Sequence, residues 1–345
     1  MRRQGGIIMK KKLISHLVIS IVFLLFIVGC SGEDQKASGE SNEKYVIKFA
    51  HVVNPTTAKG KAAEKFKELI EERTDGQISV EVFADSQLGS DREILEQMQS
   101  GAIQMNAPFT GVLPSFSKAY EVFDLPYLFE NRDHAYEATN GELGSMLGEK
   151  LKSQGLHVLG FWDGGFKHLT NSVRPIVTPK DMSGLKIRTS QSPLLITQFK
   201  AVNAGGVSID FAELYTALQT GTADGQENPL SNVISKRLYE VQDYITLSEH
   251  GYMGYVLTIS DKFYQELPEN LKSDVDEVAK EVTEWQWKES IADEEEYMKV
   301  LNESGIEITE LTAEQKQAFK VAMEESYEVF AKIEGSEELL QAAKK

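Results

Sequence analysis

Three observations predict an α/β protein with parallel strands. Short segments whose apolar residues alternate in twos exchange along the chain with segments whose apolar residues recur every three or four positions. The junctions between them carry helix-start and helix-stop residues where a strand would hand over to a helix. The chain has 345 residues, 41% hydrophobic and 26% charged, enough for two ordinary domains of a soluble globular protein.

The chain opens on a targeting pattern that stands apart from the fold. Lys10, Lys11 and Lys12 form a positive cluster, and Leu13 to Gly29 is apolar but short for a membrane span. Ile27-Val28-Gly29-Cys30 resembles the bacterial lipobox, in which the cysteine is acylated and becomes the new N-terminus. Residues 1–30 are therefore expected to be a lipoprotein signal peptide ending at Cys30, for which Met9 is a better start than Met1. Residues 31–43, polar and nearly without apolar side chains, are expected to be a flexible tether. Cys30 is the one cysteine, so the chain has neither an internal disulfide nor a cysteine zinc site.

The alternation then begins. Tyr45–Ala50 reads as a strand. Ala62, Ala63, Phe66, Leu69 and Ile70 have helical spacing, and Asp75-Gly76 stops that helix. Ile78, Val80 and Val82 alternate with polar residues as a second strand. Asp91 to Gly101 reads as a helix with Ile94, Leu95 and Met98 inward, and Ile103 to Ala107 as a third strand. Gly111 to Asn131 is irregular and aromatic, either packing beneath a loop or lining a cleft. Leu143 to Leu151 is a helix. Leu156 to Phe161 is a strand that leads into Gly164-Gly165, read as a hinge.

The segment from Gly184 to Leu230 carries the most chemistry. Leu185 and Ile187 alternate with Lys186 and Arg188 as a short strand, and Ser192-Pro193 is a helix start. Arg188 therefore sits at a strand-to-helix junction, where open α/β sheets bind ligands. Asp210-x-x-Glu213 reads as a capping box for a helix closed by Gly221, followed by a short strand through Ala223. Asn228 precedes Pro229, which can start the next helix, so a second polar side chain stands at such a junction. A guanidinium fork and an amide donor suit a small carboxylate. The same residues also fit an ion pair and a helix cap. Further on, Tyr252 to Ser260 is a strand, Pro268 to about Gly305 one helix of roughly 50 Å, Ile306 and Ile308 a last strand, and Thr312-x-x-Gln315 a capping box.

Net charge is −17, and the first 29 residues carry five positive charges and no acids, which leaves −22 on the remainder. A body this acidic excludes nucleic acid as a partner. An anion site within it needs a local Arg or Lys, because salt screens distant charges beyond about 10 Å. None of the six histidines has metal-ligand spacing, and no nucleotide or nucleophile-elbow motif is present, so no metal or cofactor is expected.

The run FAELYTALQTGTADGQENPL, with GLKIRT upstream and LGSDREILEQMQSGAIQM earlier, resembles the solute-binding proteins of TRAP (tripartite ATP-independent periplasmic) transporters, the DctP-like dicarboxylate-binding family, from about Tyr45 to about Phe330. The resemblance implies a two-lobed, periplasmic-binding-protein-like α/β fold with a ligand cleft between the lobes and a long helix spanning both. Lobe I would comprise 44–164 plus 254–293 and lobe II 165–253 plus 294–330, with 331–345 a polar tail. It implies a small organic acid as ligand, its carboxylate clamped by Arg188 and contacted by Asn228. Lys167 stands where the family commonly has an arginine, a departure that weakens bidentate recognition. Phe211 matches an aromatic that packs on the ligand, His51 a ligand-contacting region, and Asp91 a loop facing the cleft. His51 also fits a core histidine, Phe211 ordinary core and Asp91 a helix start. Phe109, or its neighbour, stands where the sialic-acid branch carries a glutamate, which argues against that ligand. The implied partners are integral-membrane permease subunits driven by an ion gradient, outside the cytoplasm. Two other classes stay open: a secreted lipoprotein enzyme using Glu213, Asp224 or Asp91 as acid–base groups, and a ligand sensor.

Overall fold

The computed structural model describes residues 44–345, and the expected signal peptide, Cys30 and the tether lie outside the described residues. β1 (Tyr45–Ala50) and β2 (Ile78–Phe83) pair in parallel, and α1 (Ala58–Arg73) carries the chain between them. The Thr57 side chain starts that helix by accepting the Gly60 N–H, and Asp75 and Gly76, both left-handed, follow its end. α2 (Asp91–Ser100) leads to β3 (Met105–Asn106), which is shorter than the expected strand and pairs with β1 on its other side. The aromatic stretch is partly ordered as 3-10 turns, Thr110–Ser115 and Lys118–Asp124, that bury Tyr120 and Phe123. α3 (Arg132–Thr139), which the periodicity did not reveal, starts on an Asn131 cap, and α4 (Glu142–Lys152) follows.

β4 (Leu156–Asn171) corrects the expected strand end at Phe161: the strand runs on through Gly164 and Gly165. β5 (Lys186–Thr189) leads to α5 (Pro193–Ala201), capped by Ser192 as the Ser-Pro pair predicts, and the Gly205-Gly206 segment proves to be β6 (Gly205–Ser208). The expected Asp210–Glu213 capping box is absent before α6 (Leu214–Gln219). Phe211–Glu213 is a 3-10 turn, and the Asp210 carboxylate accepts from Gln191 Nε2 at 2.8 Å instead. The next strand, expected through Ala223, is β7 (Gly225–Asn228), and Pro229 caps α7 (Leu230–Ser235). β8 (Tyr244–Ser260) starts well before the expected Tyr252. α8 (Asp261–Glu266) precedes α9 (Glu269–Ser304), whose 36 residues end at Gly305 with φ 86°. β9 (Glu307–Glu310) and α10 (Ala313–Ala322) follow, the latter with both hydrogen bonds of the Thr312–Gln315 box. The expected polar tail is corrected. After α11 (Glu325–Phe330), α12 (Ser336–Ala343) buries Leu339, Ala342 and Ala343 in the same apolar cluster as Leu143 and Leu147. Its polar average hid an apolar stripe at helical spacing.

Among the described residues the strands form one sheet in the order β2-β1-β3-β8-β4-β7-β5-β6, with β9 paired to β8. β4 and β8 are the antiparallel ribbon at its centre. The far end of β8 pairs with β3 (Met105↔Ile259), while the far end of β4 pairs with β7 (His168↔Asn228). The ribbon thus belongs to both halves of a two-lobed α/β fold. Separate apolar clusters fill the halves: Phe49, Phe66, Ile70 and Val278 in the first, Leu169, Ile187, Phe199 and Phe319 in the second. α9, about 54 Å long, buries Val275, Val278 and Val282 in the first and Leu301 in a cluster with Leu218 and Ile245.

A polar hub locks the middle of the ribbon to α9. Gln286 accepts from Asp163 N at 2.8 Å and donates to Asp163 O at 2.7 Å. The Asp163 carboxylate accepts from Tyr252 Oη and Ser290 Oγ and pairs with Arg132. Glycine is required beside it. A Cβ on Gly164 would stand 2.7 Å from Met253 O, and Gly165 holds φ 97° at the adjoining register shift.

Candidate ligand-binding site

A cavity of about 50 Å³ lies where the two halves of the sheet meet. The first half supplies Val52, Val53, Asp91, Phe109 and Tyr255 to its wall, and the second Arg188, Phe211, Glu227 and Asn228.

Arg188 reaches it because β5 lies between β6 and β7, with Arg188 opposite Val207 and Gln226 near the strand's end. Its side chain is buried, and among the described residues it makes one hydrogen bond, Nε to Ile209 O at 2.8 Å. No carboxylate of the described residues lies within ion-pair distance of it. Burial lowers its pKa to about 10, against the opposing pull of Glu227 and Asp210, so it is charged at neutral pH. The fork nitrogens therefore present a positive charge at the cavity.

Asn228 ends β7. Its Nδ2 donates to Gln226 Oε1, and its Oδ1 accepts from Asn232 Nδ2 at 2.7 Å. Both neighbours fix the amide plane, and one Nδ2 hydrogen remains to donate.

Between them stands Glu227, inside the QENP run, with no local sequence signal of its role. Its Oε1 takes a 2.9 Å ion pair from Lys167, and its Oε2 lies 3.0 Å from His250 Nε2, whose Nδ1 lies 2.8 Å from Ser248 Oγ. Burial pushes the Glu227 carboxyl up, but the Lys167 charge and the His250 hydrogen bond outweigh it and hold the pKa at about 2. Lys167 is itself buried and is not among the cavity-lining residues. The side chain expected to face the ligand is Glu227's counter-ion, its Nζ 5.2 Å from the centre of the Phe109 ring. Paired with Lys167, Glu227 lies beyond ion-pair distance of Arg188, although its charge still raises the Arg188 pKa.

Phe211 is half-buried on the cavity wall, with Lys236 Nζ 4.9 Å from its ring centre. Asp91 is not the cap of α2. Ser90 takes that role in a capping box with Glu93, which leaves Asp91 to turn inward, where its Oδ2 accepts from Phe109 N at 3.4 Å. Burial raises its pKa, opposed chiefly by Lys59. His51 is buried beside the cavity but does not line it, although Val52 and Val53 do. Glu213 is exposed, and the Asp224 carboxylate accepts from Lys186 N at 2.7 Å; neither lines the cavity. Among the described residues no group of three or more His, Cys, Asp or Glu side chains is placed to hold a metal ion, and no helix is long and apolar enough to cross a membrane.

Comparison with known proteins agrees with this architecture. Residues 49–333 match the model of the DctP family, bacterial extracellular solute-binding protein family 7. The chain is 39% identical over 297 residues to the C4-dicarboxylate-binding periplasmic protein DctP of Rhodobacter capsulatus, covering 86% of this chain and 89% of that one. It is 36% identical over 308 residues to the C4-dicarboxylate-binding protein DctB of Bacillus subtilis, covering 88% and 87%. A TRAP periplasmic solute-binding protein of Sulfurospirillum deleyianum with bound succinate superposes with a TM-score of 0.83 at 40% identity, covering 87% of this chain and 98% of that one. The sugar-acid-binding protein DctPAm of Advenella mimigardefordensis, with galactonate, gives 0.85 at 33%, covering 88% and 98%. A sheet shared by two halves, a long helix reaching both, a cavity at their junction and these likenesses lead to one statement: the chain belongs to the DctP family of TRAP-transporter solute-binding proteins.

Proposed function

We propose that this protein is the extracytoplasmic binding subunit of a TRAP-type secondary transporter. It captures a small organic acid, a C4-dicarboxylate, sugar acid or similar carboxylate, and delivers it to an integral-membrane permease. The observation that carries the reading is Arg188: a buried, charged guanidinium at the cavity with one hydrogen bond among the described residues. A ligand carboxylate offers the planar pair of oxygens that such a fork matches. Asn228 adds its remaining donor, and Phe211 and Phe109 give the apolar walls. Related proteins carry names or bound ligands of this class: succinate, galactonate and L-malate.

In this reading lobe I is 44–164 plus 254–293 and lobe II is 165–253 plus 294–330, and within residues 331–345 α12 packs back against α4. The change in β4's partners, from β8 alone to β7 as well, supports the boundary. The lobes close on the ligand, and the closed form is what the permease recognises. Acylated Cys30 tethers the protein to the outer face of the cell membrane.

Titration calorimetry on Arg188→Ala tests the reading. Removing the guanidinium leaves a buried carboxylate without its partner and lowers affinity by about 2–5 kcal/mol, about thirty- to several-thousand-fold. An affinity equal to that of the unaltered chain removes Arg188 from the role.

A further inference from the structure

We propose that Gln226, Thr170 and Gln242 are positioning residues for Asn228: they form a buried, one-way hydrogen-bond relay behind β7 that holds the Asn228 amide with its N–H toward the ligand. This rests on the organic-acid reading above and names residues that touch no ligand but decide how well one is met.

The relay starts at the cavity. Asn232 Nδ2 donates to Asn228 Oδ1 at 2.7 Å, and Asn228 Nδ2 donates to Gln226 Oε1. Gln226 stands two residues before Asn228 on the same face of β7 and opposite Thr170 of β4. Its Nε2 donates to Thr170 Oγ1 at 3.0 Å, and the Thr170 hydroxyl donates to Gln242 Oε1 at 2.8 Å. All five side chains are buried, and of the five only Asn228 and Asn232 line the cavity.

An amide turned end for end keeps its shape, so its neighbours decide which end faces where. Here the far end of the relay decides. Gln242 Nε2 lies 2.9 Å from Val241 O and 2.8 Å from Ser172 Oγ. A carbonyl only accepts, and Ser172 Oγ gives its own proton to the same carbonyl at 3.1 Å, so both call for a donor. A reversed Gln242 would set its Oε1 against two acceptors. Its NH₂ therefore points to them and its Oε1 to Thr170. A hydroxyl has one proton. Thr170 gives that proton to Gln242 and so accepts from Gln226. Gln226 is left with its Oε1 toward Asn228, which must donate. Asn232 follows this direction and does not set it, since its Oδ1 has no hydrogen-bond partner among the described residues.

The direction matters at the cavity. A reversed Asn228 would lose its bond to Gln226 and offer an oxygen where an acid needs a donor. With the relay intact the amide is already turned when the ligand arrives, so binding has no reorganisation to cover. Buried hydrogen bonds in series also polarise one another, which strengthens the last donor.

Calorimetry with succinate and with galactonate tests the relay on the unaltered chain, Thr170→Val, Thr170→Ser, Asn228→Ala and the Thr170→Val, Asn228→Ala double variant. Thr170→Val keeps the side chain's shape and removes the hydroxyl, which frees Gln226 and Asn228 to reverse. It should weaken the acid that the unaltered chain holds more tightly by about 5- to 50-fold. Thr170→Ser restores the hydroxyl and should recover the affinity to within about 2-fold. In the Asn228→Ala background Thr170→Val should change the affinity by less than about 2-fold, because the group it positions is gone. A loss of equal size in that background overturns the inference, since Thr170 would then act through the fold at large. Unchanged affinity in Thr170→Val or in Asn228→Ala overturns it as well, as does Thr170→Ser binding no better than Thr170→Val. Should Thr170→Val fail to fold, Gln242→Met opens the relay one link further on and is read against Asn228→Ala in the same way. Arg188→Ala separates the two readings. Binding that depends on Arg188 but not on Asn228 or Thr170 overturns the relay alone, and failure of the unaltered chain to bind either acid overturns both.

Discussion

Replacing Glu227 with Gln tests whether the buried Lys167–Glu227–His250 group holds the second lobe together. The carboxyl's pKa falls from 4.5 to about 2, a gap worth about 3 kcal/mol of stability when Glu227 is ionised. Breaking a buried ion pair from one side gives a similar figure, about 3–5 kcal/mol. Because the folded pKa is depressed, this stability is fully present above pH 4.5 and is lost as pH falls toward 2. Asp124, also facing Lys167, behaves in the opposite sense. Its pKa is raised by burial to about 7, so it withdraws stability as pH rises from 3.8 to 7, which overlaps the Glu227 window only between 3.8 and 4.5. Urea denaturation of the unaltered chain and Glu227→Gln at pH 7, 4.5, 3 and 2 reads the difference. The variant should be about 3 kcal/mol less stable at pH 7, with the gap closing at pH 2. A gap of the same size at both ends of the range would refute the assignment, as would none at pH 7.

Two further changes address the fold. Gly164→Ala places a Cβ 2.7 Å from the Met253 carbonyl oxygen and should lower stability by about 1–3 kcal/mol in a urea melt; an unchanged midpoint contradicts the close approach of β4 and β8. Leu339→Ala should lower it by about 2–5 kcal/mol because α12 is part of the core, while the exposed Glu338→Ala should be near neutral. Equal melting curves for the two variants would show that the C-terminal helix does not hold.

Where local chemistry decides, the residues could be read directly. Ser192-Pro193, Thr312-x-x-Gln315 and Gly305 each act within one turn of a helix, and each is found in its expected place. Arg188 and Asn228 could be placed at strand ends because strand and helix-start signals flank them. Distant partners were not legible. Gly164-Gly165 reads as punctuation, yet pairing with β8 carries the strand through it. Asp210 has the spacing of a cap, but Gln191 took its carboxylate. Lys167 looks like a free cation until Glu227 and His250, 60 and 83 residues further on, close around it. Lys59 carries no signal of burial in the residues around it. Only the approach of Tyr255, nearly two hundred residues away, shows that it has been shut inside.

The central ribbon also dictates an order of assembly. Asn106 finds its partner Thr258 only after 152 more residues have been made, and Ala343 is among the last to arrive at the cluster that holds Leu143. Neither half can be completed from a contiguous stretch of nascent polypeptide. Until the ribosome has delivered residue 260, β3 has one strand beside it instead of two. A chain so arranged acquires its shape late and cooperatively, from pairings far apart in the order of synthesis.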